Sequence, residues 1–272
     1  LCSWRFLYDT QFAVIDDFLV FKFWAGEQLA YMMPVGNGDL KAVLRKLIED
    51  ADKEKHNFCM LGVCSNMRAD LEAILPERFI FTEDRAYADY IYLRSDLATL
   101  KGKKFQAKRN HINRFRNTYP DYEYTPITPD RIQECLDLEA EWCKVNNCDQ
   151  QEGTGNERRA LIYALHNFEA LGLTGGILHV NGKIVAFTFG MPINHETFGV
   201  HVEKADTSVD GAYAMINYEF ANRIPEQYIY INREEDLGIE GLRKAKLSYQ
   251  PVTILEKYMA CLKDHPMDMV RW

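Results

Sequence analysis

The chain has 272 residues, 47% of them hydrophobic, and a formal net charge of −8. That is enough apolar material for one large or two modest cores, and the acidity argues against a protein devoted wholly to nucleic acid. No apolar run approaches the roughly 18 residues that read as a membrane span, and the opening Leu1-Cys2-Ser3-Trp4 has neither signal-peptide architecture nor an initiator Met.

In chain order, strands are predicted over 12–15, 18–23 and 28–33, the first two joined around Asp16-Asp17. Gly36-Asn37-Gly38-Asp39 leads into a helix whose apolar stripe is Leu40, Val43, Leu44, Leu47 and Ile48, at helical spacing. A strand at 58–61, a helix at 65–75 and strands at 79–81 and 90–92 follow. Residues 97–119 read as a long basic helix: Lys101, Lys103, Lys104, Lys108, Arg109, Arg114 and Arg116 occur with no acid among them up to Arg116. Helices near 130–147 and 157–171 come next.

Asn181-Gly182 then separates two β-rich runs, 176–180 and 183–189. This is a strong hairpin signal, because both residues tolerate positive φ. A third strand covers 197–202, and a helix covers 210–222 with Asp210 as its expected cap. The strand at 228–231 is apolar on both faces and so reads as central. A helix near 238–249 and a strand at 252–255 finish the chain. Both halves show the order β-β-β-α-β-α-β, which suggests a tandem duplication of one α/β unit. The expected domains are 1–96, a basic connecting helix at 97–125, and 126–272.

Seven cysteines are scattered with no CxxC pair and no His/Cys zinc spacing. They read as reduced thiols of a cytoplasmic protein, with Cys59 and Cys261 as core residues, and no metal is expected.

Ionisable side chains concentrate between His201 and Pro251. His201 and Glu203 share one face of their strand by period-two alternation, so either could accept a proton. Their plain alternative is a satisfied core histidine and a Glu203 pair with Lys204 or Arg233. Glu234, Glu235 and Asp236 could bind a cationic amino acid, or could favour a helix N-terminus with Asp236 as cap. Arg243, Lys246 and Tyr249 share a broad helix side, where Lys246 could meet a phosphate or a developing oxyanion. The plain alternative there is a solvated basic face. In the basic helix, Lys101, Lys104, Lys108 and Arg109 could attract RNA phosphates, or could form a solvated face.

The hairpin, the strand ending Val200-His201-Val202-Glu203-Lys204-Ala205-Asp206 and the strand opening onto Asn232 resemble the GNAT (N-acetyltransferase-like) superfamily. Leu100-Lys101-Gly102-Lys103-Lys104 with Lys108-Arg109-Asn110-His111, Ile231-Asn232-Arg233-Glu234-Glu235-Asp236 and Lys246-Leu247-Ser248-Tyr249-Gln250-Pro251 extend the likeness over nearly the whole chain. This larger pattern resembles the DUF2156 family, which is similar to the C-terminal domain of phosphatidylglycerol lysyltransferases and to Fem-type aminoacyltransferases. The resemblance implies an α/β (mixed α+β) fold of two tandem GNAT-like domains, each a mixed central sheet flanked by helices. It implies two parallel strands, 197–202 and 227–231, that splay apart around an acyl donor.

On this reading His201, Glu203, Lys246 and Tyr249 are the catalytic candidates. Lys204, Asp206, Ser208, Gly211, Asn232, Arg233, Glu234, Glu235, Asp236 and Arg243 are the candidates for binding donor or substrate. The expected activity is acyl or aminoacyl transfer to an amine or hydroxyl acceptor: a small molecule, a peptide or a lipid headgroup. Aminoacyl-tRNA or acyl-CoA would be the co-substrate, which makes tRNA a candidate partner and peripheral membrane contact an option. The GNAT glycine-rich pattern is not intact at Ser208-Val209-Asp210-Gly211-Ala212, and Asp210 would repel a pyrophosphate, so an aminoacyl-tRNA donor fits better than acetyl-CoA. The alternatives are a small-molecule acetyl-CoA-dependent N-acetyltransferase and a non-catalytic module that binds RNA or a lipid surface.

Overall fold

The computed structural model describes residues 2–146 and 152–263. The chain divides into two compact units, one formed by residues up to 88 together with the segment from 255, the other by residues 89–254.

The first unit opens with helix α1 (Arg5–Tyr8) and strands β1 (Gln11–Ile15), β2 (Phe18–Ala25), β3 (Gln28–Met32) and β4 (Val35–Gly36). Helix α2 (Leu40–Lys53), strand β5 (Cys59–Val63), helix α3 (Ser65–Ile74) and strand β6 (Phe79–Glu83) follow. Asp39 starts α2 by accepting a hydrogen bond from the Ala42 amide at 3.1 Å, and Val43, Leu44, Leu47, Ile48 and Ala51 turn its buried face to the sheet core.

The second unit begins with β7 (Asp89–Leu93), α4 (Arg94–Thr99), α5 (Gln106–Thr118), β8 (Glu123–Pro126), α6 (Ile132–Asn146) and α7 (Glu152–His166). It continues through β9 (Thr174–Val180), β10 (Lys183–Pro192), β11 (Thr197–Ala205), α8 (Ala212–Ala221), β12 (Tyr230–Asn232), α9 (Glu240–Leu247) and β13 (Thr253–Leu255). Its sheet runs β13-β7-β12-β11-β10-β9-β8. Alternation on β9 and β10 feeds two cores. Ile177, Phe187 and Phe189 join α6 and α7 on one face, while Leu178, Val185 and Ala186 join α5 and α8 on the other. Burial on both sides explains why these strands lack the polar face of a solvated sheet. The β9–β10 turn is made by Asn181 (φ 51°) and Gly182 (φ 73°), as their tolerance of left-handed backbone allows.

The last strand, β14 (Tyr258–Leu262), returns to the first unit. There it lies between β5 and β6 in the order β1-β2-β3-β5-β14-β6, with β4 paired to β2. Cys261 stands opposite Cys59 in the β14–β5 register, and the two form a disulfide. The expectation that all cysteines are reduced is therefore corrected. The pairing spans 202 residues of sequence, and no spacing rule could have revealed it. Cys143 is also disulfide-bonded, Cys135 is a free buried thiol, and Cys148 lies outside the described residues.

The observed units differ from the expected domains in three ways. The 90–92 strand, expected to close the first domain, is β7 in the sheet of the second unit, between β13 and β12. The place it would have taken is filled from the far C-terminus by β14. The basic segment is two helices of the second unit rather than one long connector, broken where Leu100 (φ 47°) and Gly102 (φ 94°) turn left-handed. Among the described residues no helix is long and apolar enough to cross a membrane.

Candidate active site

Strands β11 and β12 are parallel but pair at only three positions, Thr197 with Tyr230, Phe198 with Ile231 and Gly199 with Asn232. Beyond Gly199, β11 continues to Ala205 paired with β10 alone. The β12 chain instead turns away through Glu234, which has a φ of 57°. A parallel pair that parts in this way leaves one edge of β11 open in mid-sheet.

Two side-chain pairs bridge the opening. His201 Nδ1 lies 2.6 Å from Glu234 Oε1, and Arg233 Nη2 donates to Glu203 Oε1 at 3.0 Å. Asn217 of α8 donates to the second Glu203 oxygen at 3.1 Å. A carboxylate can only accept, so Glu234 sets the tautomer of a neutral His201 with the proton on Nδ1 and the lone pair on Nε2.

The turn itself is held by buried groups. Asn232 accepts from the Glu234 amide at 2.7 Å and donates to Asp89 at 3.0 Å. Lys246 donates to the carbonyls of Arg233, Glu234 (3.1 Å) and Glu235 (2.6 Å), which takes all three of its N–H groups. Burial and the nearby Arg233 charge push its pKa down to about 8, against the pull of Glu234, Glu235 and Glu203. Asp236 is fully buried and does not cap α9, whose N-cap position is Ile239 with no side-chain hydrogen bond. Its carboxylate takes two bonds from Arg243 (2.8 and 2.9 Å), one from Tyr90 Oη (2.6 Å) and one from the Gly238 amide (2.8 Å). The Arg243 guanidinium holds this carboxyl well below the usual carboxylate range, with further help from Tyr90 and the Gly238 amide against the opposing effect of burial.

Behind the opening lies the buried ring of Tyr249, whose hydroxyl is pushed upward in pKa by burial. Two cations converge on it. Lys108 Nζ is 3.9 Å from its centroid and the Arg233 guanidinium carbon is 4.9 Å away. Burial and the Arg233 charge bring the Lys108 pKa down to about 8, opposed by Glu203.

Other expected residues lie elsewhere. Lys204 faces the opposite side of the sheet, bonded to Glu157 at 3.0 Å and set 3.6 Å from the Trp142 ring. Asp206 closes a local turn with the amide and hydroxyl of Ser208. Gly211 begins α8 with a φ of 85°, and a Cβ there would come within 3.1 Å of the His111 carbonyl and of Phe115 Cβ. Asp210 does not cap α8; it pairs with Arg114 at 2.9 Å. Helix α5 thus presses on the loop that a CoA pyrophosphate would need.

Of the expected RNA contacts, Lys101 is exposed, Lys104 is paired with Asp96 at 2.8 Å, and Arg109 donates to the Leu100 and Gly102 carbonyls. Lys108 belongs to the Tyr249 cluster. Sequence reading missed Asn217, whose signal was a polar residue inside the apolar stripe of its helix. It also missed Tyr90 and Tyr92, both fully buried, which carry hydroxyls to Asp236 and to the Lys246 carbonyl. Among the described residues no group of three or more His, Cys, Asp or Glu side chains could hold a metal ion.

The profile of the phosphatidylglycerol lysyltransferase C-terminal family matches residues 1–261. The chain belongs to that family. Its fold is similar to the C-terminal DUF2156 domain of a lysylphosphatidylglycerol synthetase from Agrobacterium fabrum, with a TM-score of 0.72 at 13% identity, over 95% of this chain and 85% of that one. It is similar also to L-PGS from Bacillus licheniformis, with a TM-score of 0.68 at 18% identity, over 98% and 88%. A tandem GNAT protein of the clavulanic acid biosynthesis pathway superposes with a TM-score of 0.50 at 10% identity, over 92% and 80%. These likenesses establish a mixed α/β, GNAT-like fold. An uncharacterised protein of Mycoplasmoides gallisepticum is 25% identical over 177 residues, 63% of this chain, and the match spans 55% of that relative's length.

Proposed function

We propose that this family member is an aminoacyltransferase whose reaction takes place at the open edge of β11, moving an aminoacyl group from an aminoacyl-tRNA-type ester to a hydroxyl or amine acceptor such as a lipid headgroup. The observation that carries this reading is the His201–Glu234 pair at 2.6 Å, set where β11 and β12 part. With Nδ1 committed to Glu234, His201 Nε2 is the base.

In the proposed step Nε2 takes the proton of the acceptor hydroxyl as its oxygen attacks the ester carbonyl. The tetrahedral intermediate collapses, the ester C–O bond breaks, and the imidazolium returns the proton to the departing alkoxide. Glu234 orients the ring and stabilises the imidazolium, the part played by the carboxylate of a catalytic triad. Lys246 and Asn232 are positioning residues, since they hold the backbone turn that presents Glu234. Glu203 keeps Arg233 in place behind the reacting edge.

Two rivals find less support. Packing of α5 on Gly211 and pairing of Asp210 with Arg114 disfavour acetyl-CoA. The internal pairing of Lys104, Arg109 and Arg114 disfavours a purely RNA-binding module.

The test supplies aminoacyl-tRNAs, or acyl-CoAs, with phosphatidylglycerol vesicles and follows acyl transfer. Transfer from aminoacyl-tRNA is expected, falling about 100-fold to 10,000-fold in His201→Ala and less in Glu234→Gln. Normal transfer by both variants would sink the assignment.

A further inference from the structure

Strand β1 is open to solvent on both faces. Phe12 is 74% exposed and Val14 72%. Both lie on the outer face of the sheet, opposite Phe21 and Leu19 of β2, and Val35 of β4 stands beside Leu19 on that face. On the inner face Gln11 and Ala13 are exposed as well. With Ile15, Val20 and Leu47 they line an open cavity of about 340 Å³ between β1 and α2.

The second unit shows what completes such a sheet end. Strands β9, β10, β11 and β12 are related as β1, β2, β3 and β5 are, by two antiparallel pairings and then a parallel one. There β9 is covered on its outer edge by antiparallel β8, and Ile112 and Phe115 of α5 share a core with its Leu178 and Val180. Among the described residues of the first unit nothing takes the place of β8, and the outer edge of β1 is unpaired.

Sheet edges are usually guarded by charge, proline, bulges or shortness. Strand β8 carries Glu123 and Pro126, β13 is three residues long, and β6 ends in Glu83. Strand β1 has no charged residue and no proline, and it pairs with β2 without a bulge. Such an edge favours the addition of another strand.

We propose that β1 is an assembly edge, which pairs antiparallel with β1 of a second copy of this chain across a two-fold axis at Ala13. This pairing goes beyond the acyl-transfer reading and does not depend on it.

The strand is complementary to itself. With Ala13 on the axis, Phe12 of one copy stands opposite Val14 of the other, and aromatic with β-branched is a favourable cross-strand pair. The two such pairs continue the contact of Phe12 with Phe21, whose ring centroids are 6.4 Å apart, into one apolar strip. On the inner face Gln11 meets Ile15 at the mouth of each cavity. A two-fold arrangement closes at two copies and leaves neither β1 edge open. Two edges of this length, with their exposed side chains, cover on the order of 1,000 Å² in total, about the minimum for a specific interface. The dimer should therefore dissociate on dilution. Asp9 and Asp17, both exposed, flank the strand and disfavour an anionic lipid surface or a nucleic acid at this patch. In the dimer they lie at the rim, where salt screens their repulsion.

The test is sedimentation velocity of the full chain from micromolar to near-millimolar concentration, at low and physiological salt, with hydrogen exchange at both ends of the range. A monomer–dimer equilibrium strengthened by salt is expected, with added protection across 11–15 in the concentrated sample. Val14→Lys puts a charge on the edge at an exposed position and should raise the dissociation constant about tenfold or more, while a thermal melt verifies folding. Ile80→Lys, on the edge strand β6, should leave it unchanged. A monomer at every concentration overturns the proposal. So does a dimer that a folded Val14→Lys retains, or one without added protection at 11–15. Open-ended aggregation that Val14→Lys abolishes would mean head-to-tail rather than two-fold pairing and overturns it too. Binding of a monomer to phosphatidylglycerol vesicles that Phe12→Lys abolishes would assign the patch to a membrane and likewise overturn it.

Discussion

Asp236 and Arg243 show how a charged residue near a site can serve the fold. Asp236 is fully buried and accepts hydrogen bonds from Arg243, Tyr90 and the Gly238 amide. Removing its cation leaves the Asp236 charge buried and less compensated, so Arg243→Met should lower the denaturant midpoint of the second unit. The pH dependence has a fixed sign. The folded-state pKa of Asp236 is depressed below the unfolded value near 3.9, so its stabilisation is fully present above that pH. It is lost as the pH falls through the depressed folded value. The stability gap between wild type and Arg243→Met should thus be widest near neutral pH, narrow as falling pH protonates Asp236 in the variant, and close as the pH passes through the depressed wild-type value. An unchanged gap at lower pH would remove Asp236 as its cause. At the same scale, Lys246 and Asn232 looked like substrate ligands in the sequence. Their hydrogen bonds to the 233–235 backbone could not be read there, because a lysine that holds a turn has the same spacing as one that holds a phosphate.

At the scale of elements, the decisive feature is the short β11–β12 pairing. Strand periodicity located both strands and put His201 and Glu203 on one face. It could not tell where the pairing stops, since that depends on the left-handed Glu234 and on the Lys246 and Asn232 contacts that stabilise it. The α5–α8 contact is equally tertiary. Gly211 sits there at positive φ against His111 and Phe115, so Gly211→Ala meets both a left-handed backbone and a close approach. The expected cost is at least about 1–2 kcal/mol, measured by thermal or urea unfolding. A neutral result would mean that α5 can draw back and leave room for a CoA cradle. The Asn-Gly hairpin needed no such context, because its conformation follows from the two residues that make it.

At the scale of the molecule, β14 ties the last described residues into the first unit. Strands β5 and β6 both pair with β14, and its register sets Cys261 opposite Cys59. Truncation after residue 254 should therefore open the sheet of the first unit. Hydrogen exchange should then show lost protection across 59–63 and 79–83, with amides of 176–190 still protected. Retained protection across both segments would contradict the topology. The repeated order of strands and helices suggested two α/β units but misplaced their bounds, because β7 belongs to the second unit and β14 to the first; the basic and acidic motifs announced the family.

By itself, the sequence determined what local physics controls: the amphipathic helices, the alternating strands, the Asn-Gly turn and the concentration of ionisable groups from His201 onward. Tertiary structure alone decided the assignment of β7 and β14 to their sheets and the Cys59–Cys261 bond. It also brought Lys108 to Arg233 and Tyr249, across more than a hundred residues of chain. Such contacts depend on which elements pack together to bury both faces of a sheet, and the intervening chain carries no local record of that choice.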